Sequence, residues 1–150
     1  MPVAPVYSSF GNWLKGDCEY AAMANLFEHQ YPAMHLTTKQ VLDAWHNGNG
    51  ETYYSAIDFM RTVGFNGKTA TITPLQTRAE IIQAANHGGV WATVQSGQHA
   101  VAIVAASAKG LLVVDSTMGN GMKYFEPWGM WAKYLAGTGE EYWGLHWNQP

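Results

Sequence analysis

The chain has a single cysteine, Cys18, and a lone thiol excludes the internal disulfide framework that holds many small secreted domains together. Basic residues are scarce as well. Eight Lys and Arg against eleven Asp and Glu in 150 residues leave a net charge of −3 with no basic stripe. That argues against nucleic acid as a partner and against a polybasic hold on anionic lipid. No apolar run approaches the roughly 18 residues of a membrane span. The opening "MPVAPVYSSFGNW" has neither the positive n-region nor the apolar h-region of a secretory signal. The expectation is a chain made in the cytoplasm, with release on lysis or another signal-free route if it leaves the cell. No repeat, low-complexity tract or Pro/Ser-rich linker divides the sequence.

Hydrophobic residues make up 47% and charged residues 13% of the chain, a composition that folds rather than staying disordered. The length suits one domain over residues 1–150. Seven Trp and eight Tyr are many for this size. Their first use is core, with a share available to line a groove for an extended ligand. Oligomeric state leaves no mark.

Asp17 is a good N-cap, and Ala22, Met23, Leu26 and Phe27 follow at helical spacing until Tyr31-Pro32, so a first helix is expected over 18–30. "TTKQVLDAWHNGNG" starts at a Thr cap and stops at Gly48, and "ETYYSAIDFMRTVGFNG" repeats that design and stops at Gly64. "KTATITPL" alternates like a short strand, and "TRAEIIQAANHGG" opens with a capping box from Thr77 to Glu80. Beyond it "GVWATVQS", "HAVAIVAASA" and "GLLVVDS" are β-rich runs separated by tight turns, read as adjacent antiparallel strands. A Gly-rich loop, "TMGNGM", leads to two more strand patterns, "KYFEP" and "EEYWGLHW", around a Trp-rich helix, "PWGMWAKYLAG". Helices first and strands second give an α+β class, an N-terminal helical layer packed on a C-terminal antiparallel sheet.

Cys18 opens a helix, where unpaired backbone N–H groups and the helix dipole favour thiolate over thiol. The same first turn offers an N–H to an oxyanion formed at an attacked carbonyl. A nucleophile needs a base, and His99 stands at the start of a strongly apolar strand. Asp115 ends the next strand. A hairpin turned at "AKG" would bring the two together across their 16-residue separation, with Asp115 orienting the imidazole and stabilising its charged form. Read singly, each residue has a plain structural use: Cys18 as core, His99 as a satisfied core histidine, Asp115 as a turn residue bonding its own backbone. Their joint placement favours chemistry. His29, His35, His46, His87 and His146 form no i,i+4 pair and have no Cys partner, so no metal is expected. The "GNG" triplets at 48–50 and 119–121 lack the frame of a phosphate loop, and no cofactor is expected either.

"GDCEYAAMANL" followed by "GGVWATVQSGQHAVAIVAASAKGLLVVDS" resembles the papain-like cysteine peptidases, and most closely the bacteriocin-processing (double-glycine leader) peptidase-like branch. The likeness is one of motifs and element order over nearly the whole chain. By position it implies Cys18 as nucleophile, His99 as general base and acid, and Asp115 as the orienting residue. The branch usually has Gln six residues before the Cys as oxyanion donor. Here that position is Asn12, whose amide is one methylene shorter, and Ser116 stands where Pro often follows the Asp.

The resemblance implies a cysteine peptidase acting on a peptide or protein, with peptidoglycan stem peptides as one substrate class, as in endolysin-like enzymes. The chain shows no transporter segment, so a stand-alone enzyme is expected rather than a leader-processing transporter domain. Two other classes use the same scaffold. One is an inactive peptidase-like binding module, for which Asn12 would be a symptom. The other is a deamidase or host-directed effector with the same three residues, which differs in substrate and not in site. Reactivity of Cys18 separates the binding module from the enzymes.

Overall fold

The computed structural model describes residues 17–34, 36–37, 39–41, 43, 53–94, 99–115, 123–135 and 141–148. Its first helix, α1 (Asp17–Gln30), begins one residue before the expected 18–30, so Asp17 is its first helical residue and not the cap before it. Tyr20, Ala21, Ala22, Met23, Ala24, Leu26 and Phe27 are all buried. A helix that is apolar on nearly every side must be enclosed. α1 accordingly lies across the sheet and against α2 (Tyr53–Thr62). Of the segment between them, residues 39–41 and 43 are helical, Thr37 Oγ1 accepts from the Gln40 N–H at 3.1 Å, and the rest of "TTKQVLDAWHNGNG" lies outside the described residues.

α2 ends as its Gly stop predicts. Gly64 has φ +69°, and its N–H bonds back to Phe59 O at 2.9 Å. A Cβ at this position would stand 1.9 Å from Lys68 O, so both the left-handed backbone and the close approach require glycine. Gly64→Ala is expected to lower stability by about 2 kcal/mol or more. Urea unfolding checks this, a loss below about 0.5 kcal/mol contradicting it.

The strands are β1 (Ala70–Leu75), β2 (Val90–Val94), β3 (His99–Ser107), β4 (Gly110–Val114), β5 (Lys123–Pro127) and β6 (Glu141–Trp147). Two helices interrupt them, α3 (Arg78–Ala85) and α4 (Trp128–Leu135). α3 carries the expected capping box, Glu80 N–H donating to Thr77 Oγ1 at 3.1 Å while Glu80 Oε1 accepts from Thr77 N–H at 2.9 Å. The six strands form one sheet in the order β1-β6-β2-β3-β4-β5, every neighbouring pair antiparallel. The class is α+β, and β2, β3 and β4 are the adjacent antiparallel strands the sequence indicates.

The core has two parts, one on each face. Trp91, Ala100, Ala102 and Val104 pack with α1 and α2, while Val90, Ala92, Val94, Val101 and Ile103 pack with Ile81, Ala85 and Trp131 from α3 and α4. This alternation is the two-residue period of a strand. Both faces are covered, so β2 is buried along its whole length and reads as an unbroken apolar run. The helical layer expected from the sequence is α1 and α2, and α3 and α4 add a second on the opposite face. β6 locks the frame. It inserts between β1 and β2, and Trp147 donates Nε1–H to Gly88 O at 2.8 Å while its ring meets Phe27 at 6.0 Å. Trp91, Trp131 and Trp147 are thus core, and Trp128, Tyr142 and Trp143 are half-buried.

Candidate active site

Two features of the sheet fix the site. β3 begins at His99 and turns through Ser107–Gly110 into β4, where the Lys109 N–H donates to Ser107 Oγ at 3.1 Å. The register runs Ala102↔Val114 and Ile103↔Val113, with an irregularity between Ile103 and Ala105. Asp115, the residue after β4, therefore comes level with the opening of β3. His99 Nε2 and Asp115 Oδ1 are 2.8 Å apart. The Asp115 side chain is 2% exposed and that of His99 is 11% exposed, so this charge-assisted contact is shielded from water.

α1 packs across β3 and sets Cys18, in its first turn, against the same end of that strand. Cys18 is half-buried and close enough to the His99 side chain to help hold a proton on its ring. Burial opposes a charge on His99, but its hydrogen bond to the Asp115 carboxylate, the nearby Cys18 side chain and the negative charge beside the ring outweigh it. The imidazole is pushed up to about 10 from 6.5, which keeps the ring protonated beside the sulfur through the neutral range.

The structure thus brings Cys18, His99 and Asp115 together. Asn12 lies outside the described residues, as do Ser116 and the turn before His99. His35 and His46 lie outside them too. His87 and His146 line a cleft of about 380 Å³ with Thr73, Leu75, Glu80 and Gln83. That cleft sits between α3 and β6, on the sheet face opposite α1, and holds none of the three residues above. Among the described residues no three His, Cys, Asp or Glu side chains converge to hold a metal ion, and no helix is long and apolar enough to cross a membrane.

One member of this neighbourhood escaped the sequence reading. Glu19, next to Cys18, is half-buried, its Oε2 has no hydrogen-bond partner, and burial pushes its carboxyl up to about 8 from 4.5. The available signal was an acid inside an otherwise apolar helical run. Between about pH 4.5 and 8 the folded chain keeps a proton here that the unfolded chain has released, so stability falls as pH rises through that interval. Glu19→Gln removes this pH dependence. The melting temperature of the variant is expected to gain on wild type steadily from about pH 4.5 to about pH 8. A gap that does not change with pH would contradict the assignment.

No protein-family model matches this chain, and no curated protein matches it. Its architecture, however, is that of solved papain-like cysteine peptidases. A double glycine motif protease from an AMS/PCAT transporter, solved in complex with a leader peptide, superposes with a TM-score of 0.57 at 14% identity, covering 86% of this chain and 84% of that one. The peptidase domain of Streptococcus ComA, a bi-functional ABC transporter involved in a quorum sensing pathway, gives a TM-score of 0.54 at 9% identity, covering 87% of this chain and 93% of that one. At such identities the likeness is one of fold.

Proposed function

We propose that the chain is a cysteine peptidase, a single domain over residues 1–150, that hydrolyses peptide bonds through an acyl-enzyme on Cys18. The observation that carries this reading is the His99 ring, held by buried Asp115 at 2.8 Å with Cys18 beside it, a setting that favours its protonated form. An imidazolium held beside a thiol gives the sulfur nucleophilic character at neutral pH and supplies the proton that the leaving amine requires. In the first step the Cys18 thiolate adds to the carbonyl carbon, and the oxyanion is met by backbone N–H groups at the start of α1, with the Asn12 amide as second donor. His99 then protonates the amine as the C–N bond breaks. In the second step His99 takes a proton from water, hydroxide adds to the thioester, and the thiolate leaves. Asp115 fixes the ring's orientation throughout and stabilises its charged form.

A peptide is the substrate class this reading favours, and the leader peptide bound to the double-glycine protease supports it. Leader-type peptides and peptidoglycan stem peptides are the two substrate sets to assay. Incubation with a degenerate peptide pool, followed by mass spectrometry of new termini, tests the reading. Cleavage products with wild type and none with Cys18→Ala are expected. Products formed equally by both would overturn it.

A further inference from the structure

Cys18 and His99 come from elements far apart in the chain, α1 and β3, and no covalent constraint fixes their separation. Apolar packing brings the two elements together, Ala21, Ala22 and Met23 of α1 clustering with Ala100, Ala102 and Val104 of β3. That attraction is non-directional, and alanine methyls offer few ridges to set one element's height against the other. A nucleophile and its base need closer placement than this, since a shift of about 1 Å costs about 10²-fold in rate. A directional contact has to supply it.

Trp91 makes such a contact. Its indole donates Nε1–H to the carbonyl oxygen of Glu19, the residue after Cys18, at 3.0 Å. The ring is fully buried in β2, opposite Ala102 of β3 on one side and Trp143 of β6 on the other. An indole nitrogen is a donor only, and a buried donor without an acceptor is costly, so the bond ties the first turn of α1 to the sheet. β2 also pairs with the start of β3, Val94 opposite His99. One strand therefore holds the base by its register and the turn of the nucleophile by an indole bond.

We propose that Trp91 is a positioning residue: its indole N–H, by holding the Glu19 carbonyl, keeps the Cys18 sulfur within reach of the His99 ring. This rests on the peptidase reading, and the test separates the two. Trp147 is the control. It donates Nε1–H to Gly88 O at 2.8 Å, is 5% exposed, and meets α1 at Phe27, roughly two and a half turns beyond Cys18. The two indole bonds are alike in kind and burial and differ in distance from the sulfur.

Alkylation of Cys18 by iodoacetamide at neutral pH is timed by mass spectrometry in the full chain, alongside melting curves, so no substrate is needed. Trp91→Phe and Trp147→Phe should both melt below wild type, since each leaves a carbonyl without its donor and a gap where the larger ring stood. Only Trp91→Phe should slow alkylation, by about tenfold. In the double variant Trp91→Phe/His99→Ala the rate should match that of His99→Ala, because the bond acts through the ring's access to the sulfur. If Trp91→Phe does not fold, Trp91→benzothienylalanine, which keeps the bicyclic shape and replaces the N–H with sulfur, takes its place.

A rate within about twofold of wild type in the position-91 variant, or equal slowing in Trp147→Phe, overturns the proposal. With wild-type alkylation still fast and dependent on His99, either result leaves the peptidase reading standing. Slow wild-type alkylation indifferent to His99 would sink both.

Discussion

His99→Ala is expected to lower the rate of the proposed peptide cleavage by about 10⁴-fold or more, as loss of the base in a nucleophile–base pair does elsewhere. The loss combines two effects. The sulfur loses the base that would take its proton as it attacks. Nothing remains to protonate the departing amine either. Asp115, at 2% exposure, also loses its ring partner, and a buried carboxylate stripped of a partner weakens the fold. His99→Gln, closer in size and still able to donate to Asp115, keeps the measurement interpretable if the alanine variant unfolds. Both variants should keep the far-UV spectrum of wild type below their melting points. A residual rate within about tenfold of wild type in either would mean that His99 is not the base.

Asp115→Asn is the second large effect, about 10²-fold or more in cleavage rate, with a displaced pH profile. Burial opposes the charge on His99, and the Asp115 hydrogen bond and charge are what chiefly overcome it. With Asn in place the ring retains a neutral hydrogen-bond partner but loses the carboxylate, and its proton leaves well below about 10. The alkaline limb of activity should therefore move from near 10 toward neutrality. Stability follows the same linkage. A His whose pKa rises from 6.5 to about 10 on folding contributes stability that is full below 6.5 and is lost as pH rises through about 10. Wild type should exceed Asp115→Asn most at the acid end of that window and converge with it at the alkaline end. Melting curves from pH 6 to about 10 check this, and a gap that widens with pH would contradict the assignment.

Local features carried the sequence reading far. The Thr77–Glu80 box, the Gly64 stop and the start of α1 each rest on residues within a few positions of one another, where a side chain and its backbone partner meet whatever the rest of the chain does. The His99–Asp115 contact was legible for the same reason. A hairpin is a local structure, and the spacing of its two ends is written in the sequence.

What the sequence left open is long-range. Nothing in "EEYWGLHW" states that it inserts between β1 and β2, because a strand's partners depend on surfaces far away in the chain. Yet that insertion aligns Trp143 with Trp91 and brings Trp147 onto Phe27. The half-burial of Glu19 was not legible either, since an acid in a helix's first turn ordinarily reads as a solvated, dipole-stabilised charge. The aromatic count was legible as a number and not as a place: three Trp went to core, and the half-buried Trp143 lies on the α1 face.

The most direct test of the central claim is the rate of iodoacetamide alkylation of Cys18 as a function of pH, measured by mass spectrometry in wild type and in His99→Ala. Cys18 is the only cysteine, so the label reports on one sulfur. An activated pair predicts fast alkylation at neutral pH in wild type and a rate at least tenfold lower in His99→Ala. Slow alkylation in wild type, unchanged by the loss of His99, would contradict it, leaving a papain-like scaffold whose Cys18 performs no chemistry.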